Sequence, residues 1–250
     1  MGSISFDRAA PTYDATRGGL ARGVYLADAI APHLRAGPVL EVGIGTGAVA
    51  LALREGGHPV VGVDLSPAML ALAQPRLGSC VAVADGHRLP VADRRVPNAV
   101  VVWVLQLVPD PLGMLAEAGR VVAPGGRLVV VPAGGNWAPD DIGEVVVPMA
   151  QALRPERDRA ELLVEGAAAA GLVTVAHETT PPARFLASPE DMARTIETRE
   201  WSSLWDVPDD RWAAVVEPTL AALRALPEPR RRRERWKHDD VVVFTPMAAA

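Results

Sequence analysis

Val39 to Ala50 read VLEVGIGTGAVA. A β-branched run stops at Gly43, Gly45 and Gly47, and TGAVALALREGG continues with helical spacing as far as Gly56-Gly57. Strand, glycine turn and helix form the first half of a βαβ unit. Glycines at such a turn permit positive φ and let the backbone touch a ligand. The helix that follows aims its first N–H groups at the same place.

Outward from this stretch the same alternation repeats. GPVLEVG (37–43), PVVGVD (59–64), CVAVAD (80–85), NAVVVWVL (98–105) and GRLVVVP (126–132) are short and apolar on both faces. Strands of a parallel sheet covered by helices on both sides have that composition. SPAMLALAQPRLG and DPLGMLAEAGRVVAPGG between them have helical spacing. Ser66 before Pro67 is an N-cap followed by proline at the first helical position. VTVAHETTPPARFLA reads as a long strand or hairpin arm, and HDDVVVFTP as the last strand. The pattern predicts one α/β domain over 1–250, doubly wound on a mostly parallel, seven-stranded, Rossmann-like sheet. Its cofactor-binding core spans 37–132. Residues 1–35 and 188–235 fall outside the sheet and are expected to form a helical cap, the latter being too long for a plain loop.

Composition excludes several classes. The chain is 49% hydrophobic and 22% charged, with a formal net charge of -5. That balance gives no reason to expect nucleic acid or an anionic membrane as partner. Cys80 is the only cysteine, so no intrachain disulfide is possible, and it is expected to be a small buried apolar residue. No basic-apolar leader and no apolar run of about 20 residues is seen, so a soluble, cytoplasmic protein is expected, as monomer or homodimer. One cysteine and five scattered histidines make no metal site. No Lys-Ser/Thr follows the glycines, so the loop is not a P-loop. RRRRERWK (230–237) reads as a solvated basic turn.

The glycine loop alone has two readings. Gly43-x-Gly45-x-x-Ala48 fits a permissive dinucleotide fingerprint, and Gly43-x-Gly45-x-Gly47 fits a loop that holds S-adenosylmethionine. Asp64 ends the second strand, where a carboxylate can accept both ribose hydroxyls of either ligand. Asp85 ends the third strand in ADGHRLP. A carboxylate there can accept from an adenine amine, and Gly86 leaves room for the base.

With NAVVVWVLQLVPDP and RVVAPGGRLVVVP following at the expected intervals, the chain resembles the class I S-adenosylmethionine-dependent methyltransferases. It looks most like their small-molecule branch, the ubiquinone/menaquinone type. The resemblance covers 37–132 and extends to FDRAAPTYDATR (6–17). It implies S-adenosylmethionine as cofactor, a small-molecule acceptor, which the tryptophans named below would make apolar or aromatic, and Glu41 near the methionine amino group. Leu65, Met69 and Val102 would complete the cofactor contacts, and Tyr13 and Arg17 would close over the methionyl carboxylate. Two departures stand out. Asn98 replaces the aspartate that usually opens the fourth strand. Trp103 and Gln106 stand where many members have histidines, so no general base is named. The absence of an Asn/Asp-Pro-Pro-aromatic stretch argues against a nucleobase substrate. A nicotinamide-dependent oxidoreductase and a non-catalytic cofactor binder are the competing readings. Trp201 and Trp205 in REWSSLWDVPDDRW either glue the cap or, with Trp103 and Gln106, wall the acceptor site.

Overall fold

In the computed structural model, which describes residues 6–153 and 158–248, helices α1 (Tyr13–Arg17) and α2 (Gly19–Ile30) come first. The alternation read from the sequence follows: β1 (Val39–Val42), α3 (Ala48–Glu55), β2 (Val60–Asp64), α4 (Pro67–Leu77), β3 (Val81–Val83), β4 (Val96–Val102), α5 (Pro111–Val121) and β5 (Val122–Val131). The second half holds β6 (Asn136–Trp137), α6 (Asp141–Leu153), α7 (Ala160–Gly166), β7 (Leu172–Thr179), β8 (Ala183–Ala187), α8 (Pro189–Glu197), α9 (Asp209–Arg211), α10 (Glu217–Ala225), β9 (Arg233–His238) and β10 (Asp240–Pro246).

Seven strands form one sheet in the order β3-β2-β1-β4-β5-β10-β7. The first five run parallel, whereas β10 is antiparallel to both neighbours. Successive side chains of a strand point to opposite faces, and here both faces are buried. Val39, Val100, Val129 and Val243 meet Leu26 and Ile30 of α2 and Val49 and Leu53 of α3. Leu40, Val42, Val101, Val130 and Phe244 meet Met114 and Leu115 of α5 and Leu163 of α7. Strand order reverses between β1 and β4, so the crevice expected of such a sheet opens at their C-terminal ends.

The chain divides into two compact units. One comprises Met1–Gly134, Arg157–Thr180 and Asp239–Ala250, and contains the seven-stranded sheet; the other comprises Gly135–Glu156 and Pro181–His238. Within the second unit, α6, α8 and α10 share a core of Ile142, Met149, Ile196, Leu204, Val216 and Leu223. It also has a three-stranded antiparallel sheet, β6-β9-β8. The basic run is therefore not a solvated turn along its whole length. Its end is the central strand of this sheet, with Arg235 and Lys237 buried. Arg235 Nε donates to Asp140 at 2.8 Å, and its guanidinium stacks on Trp137 at 4.5 Å. Cys80 is half-buried, not fully enclosed. Among the described residues, no helix is long and apolar enough to cross a membrane.

Candidate functional site

β1 delivers the chain to the glycine loop at its C-terminal end. Gly43, Gly45 and Gly47 have φ of 75°, 55° and 75°, a region open mainly to glycine. A Cβ on Gly43 would lie 2.3 Å from Val104 Cγ2, and one on Gly47 would lie 2.8 Å from Leu77 Cδ1. Those two glycines let neighbours pack. A Cβ on Gly45 would meet nothing nearer than Met69 Cε at 3.9 Å, so the space beside Gly45 is left to a ligand.

The loop's own donors are largely used. The N–H groups of Gly43 and Ile44 donate to the Val63 carbonyl at 2.8 and 2.9 Å, and Gly47 N–H donates to the Ile44 carbonyl at 2.9 Å. Gly45 N–H donates to Asp64 Oδ2 at 2.8 Å. Asp64 Oδ1 accepts from Ser66 N–H at 2.9 Å. Burial raises the Asp64 carboxyl above its usual range, and the N–H groups of Ser66, Gly45 and Leu65 oppose that. Glu41 is 2% exposed, and its Oε2 is buried with no hydrogen-bond partner. Burial, then the negative charge of Asp64, pushes its carboxyl up to about 8 against the pull of the Ala50 N–H.

A cavity beside the loop brings together Tyr13, Gly43, Gly45, Asp64, Leu65, Met69, Asp85, Gly86, Val102 and Trp103. Two carboxylates line it, and no lysine, arginine or histidine does. Asp85 Oδ1 accepts from the His87 N–H at 2.9 Å and lies 3.3 Å from His87 Nδ1. Gly86 serves packing as well, since a Cβ there would stand 2.2 Å from Met114 Cε. Glu41, Gly47, Arg17 and Gln106 stand outside the lining. Trp201 and Trp205 belong to the second unit. They flank a 3-10 turn, not an α-helical one. Trp201 packs on that unit's core and Trp205 is buried.

Trp103 has φ of 55°, a rare value for a bulky residue and a mark of local strain. Three contacts hold it there. Its N–H donates to the Val131 carbonyl at 2.9 Å, its carbonyl accepts from Gln106 Nε2 at 2.7 Å, and the Arg22 guanidinium covers its ring at 4.5 Å. Gln106 Oε1 is buried without a partner.

The N-terminal stretch closes one side of the cavity. Phe6 and Tyr13 both line it and meet edge to face at 5.9 Å. Asp7 Oδ1 accepts from Ser66 Oγ at 2.6 Å. Asp14 Oδ1 accepts from Thr46 Oγ1 at 2.7 Å, and Asp14 pairs with Arg76, whose Nη1 donates to the Thr46 carbonyl at 2.8 Å. Sequence reasoning missed Phe6, Ala84, Val104, Leu107, Val108 and Met114 in the lining. Phe6 did open the quoted FDRAAPTYDATR stretch, and Leu107 and Val108 continue the apolar run after β4.

Residues 40–130 match the family model described as a methyltransferase domain. The demethylmenaquinone methyltransferase of Tropheryma whipplei is 38% identical over 95 residues, covering 37% of this chain and 40% of that protein. The chain thus spans well under two thirds of that relative. Among solved structures, a putative methyltransferase from Bacillus halodurans C-125 superposes with a TM-score of 0.58 at 18% identity, over 92% of this chain and 99% of that one. The [4+2]-cyclase SpnF superposes with a TM-score of 0.58 at 19% identity, over 99% of each chain. At those identities the two structures establish the fold.

Proposed function

We propose that the chain, whose residues 40–130 match the methyltransferase-domain model, is a class I S-adenosylmethionine-dependent methyltransferase that transfers a methyl group from S-adenosylmethionine to a small acceptor. The acceptor is apolar or aromatic in this reading. One observation carries it: the site is acidic and its loop donors are largely used. A dinucleotide's pyrophosphate needs free loop N–H groups at a helix N-terminus. Here Asp64 holds the Gly45 N–H, the charge of Asp64 raises the proton affinity of Glu41, and that of Asp7 raises the proton affinity of Asp64. At the glycine loop such surroundings repel a pyrophosphate and suit a ligand with a sulfonium and an ammonium.

The residues fit that cofactor. Asp64 sits where a carboxylate can accept ribose hydroxyls. Asp85 Oδ2, without a protein partner among the described residues, is available to an adenine amine. The Glu41 carboxyl, its Oε2 without a partner, lies near the loop and becomes an acceptor once a cationic group displaces its proton. When bound, S-adenosylmethionine supplies a methyl group activated by its sulfonium. The chain's own part is position and dryness. Phe6, Tyr13, Leu107, Val108 and Met114 give the cavity an apolar wall, and where bound ligand displaces water each carboxylate contact is stronger than in water.

We read it as a cytoplasmic enzyme, monomer or homodimer. The net charge of -5 supports an acceptor other than nucleic acid. The test is calorimetric titration with S-adenosylhomocysteine and with NADH. Binding of the first alone supports the proposal, and binding of NADH alone overturns it. The cyclase neighbour keeps a different reaction on this fold in view. Release of S-adenosylhomocysteine in the presence of an acceptor excludes that reading.

A further inference from the structure

Arg22 is half-buried on α2. Its guanidinium carbon lies 4.5 Å from the Trp103 ring centroid and 5.5 Å from that of Tyr13. Both rings line the cavity, and Arg22 itself does not. A guanidinium stacked on rings keeps its five N–H donors in its own plane. No carboxylate or carbonyl of the described residues accepts from the Arg22 side chain. The rings hold the cation in place and leave its donor edge free. That edge matches a carboxylate, two N–H groups to two oxygens.

We propose that Arg22 recognises the methyl acceptor, and that the acceptor is a small monocarboxylate with an apolar or aromatic body. The carboxylate would sit on the Arg22 edge, and the body would lie along Trp103 and Tyr13. The proposal rests on the methyltransferase reading above and narrows its acceptor. The placement of Arg22 favours the acceptor over the cofactor's own carboxylate, because Arg22 stands outside the wall of the cavity that Asp64 and Asp85 line.

The experiment uses the full chain saturated with S-adenosylhomocysteine. Benzoate, phenylacetate and octanoate are titrated against their amides by ligand-observed NMR, with wild type, Arg22→Leu and Arg22→Lys. At least one acid should bind wild type, and its amide should bind about tenfold more weakly or worse. Arg22→Leu should remove that preference and leave the amide unchanged. Arg22→Lys should keep part of it, since an ammonium lacks the fork. If no acid outbinds its amide, or if Arg22→Leu leaves the preference intact, the proposal fails. It also fails if Arg22→Leu weakens S-adenosylhomocysteine but not 5′-methylthioadenosine, which lacks the carboxylate. The guanidinium would then hold the cofactor's tail. If wild type binds no S-adenosylhomocysteine, the methyltransferase reading falls first, and the acid-amide comparison on the ligand-free chain still decides the role of Arg22.

Discussion

Asp14 and Thr46 lie 32 residues apart in sequence and share a 2.7 Å hydrogen bond. Thr46 belongs to the glycine loop and Asp14 to α1, so one contact ties the N-terminal stretch to the floor of the cavity. Arg76 braces both, through the Thr46 carbonyl and the Asp14 carboxylate. Thr46→Val should cost about 0.5–1.5 kcal/mol, the net worth of one hydrogen bond, measured by urea unfolding. Hydrogen exchange over residues 8–18 should quicken, and S-adenosylhomocysteine should leave faster. Unchanged exchange would mean that the clamp does not hold the stretch.

Glu41 gives the fold a pH dependence of definite sign. Its carboxyl titrates near 8 in the folded chain against an ordinary 4.5. Between those values the folded chain keeps a proton that the unfolded chain has lost, so stability falls as pH rises. The contribution is complete below about pH 4.5 and is lost as pH rises through about 8. The urea midpoint of wild type should therefore drop between pH 5 and pH 8 by more than that of Glu41→Gln. A ligand's ammonium beside Glu41 should also expel the proton. Calorimetry at pH 7 in buffers of different ionisation heat should show proton release on S-adenosylhomocysteine binding, and Glu41→Gln should abolish it.

Gly47 and Gly45 separate packing from binding. At Gly47 an added methyl would press on Leu77, and φ is also unfavourable. Gly47→Ala should lose stability by about 1–3 kcal/mol. At Gly45 the methyl has room, so Gly45→Ala should cost only about 1–2 kcal/mol for its backbone. Its larger effect should be on cofactor affinity, read by titration. Equal effects of the two variants on both readouts would contradict this assignment.

Asp64 holds the Gly45 and Ser66 N–H groups while it lines the cavity. Asp64→Ala should therefore lower stability by about 1.5–3 kcal/mol, as hydrogen bonds to a charged group are lost, and should lower cofactor affinity as well. Asp64→Asn keeps one acceptor oxygen and should retain more of both. Full stability in Asp64→Ala would show that the loop does not depend on this carboxylate.

Gln106 should act through Trp103. Without its amide, Trp103 can leave the left-handed region, and Gln106→Leu should change the tryptophan emission. Trp103→Gly should cost more in the Gln106→Leu background than alone, by about 1 kcal/mol or more, if Gln106 holds a strained conformation that glycine would otherwise relieve. Additive effects would make Gln106 a bystander.

The five parallel strands of the main sheet were legible because each is apolar on both faces in sequence and bounded by glycine, proline or a helix cap. Asp64 and Asp85 were legible as strand ends. Asn98 departs from the family's aspartate for a reason no spacing reveals. Buried, its amide both accepts from the Arg35 N–H at 2.7 Å and donates to the Arg35 carbonyl at 2.9 Å. The small sheet stayed hidden because β9 is spelled in charges, and the pairs that bury them, Arg233 with Asp141 and Arg235 with Asp140, span some ninety residues. Arg17 was the arginine that the sequence offered as partner for an anion, and nothing in the sequence singled out Arg22. Its stacking on Trp103 exists only through tertiary contact and an unusual φ that no local pattern encodes.

The placement of β10 has a consequence for how the chain is made. Residues 240–246 fill the slot between β5 and β7, and Phe244 there is wholly enclosed. During synthesis, β5 emerges more than a hundred residues before its antiparallel neighbour. Until then β5 and β7 each present an unpaired edge, the kind of surface on which nascent chains misassociate. A ribosome stalled short of residue 240 would hold a protein with its cofactor loop complete and its sheet still split.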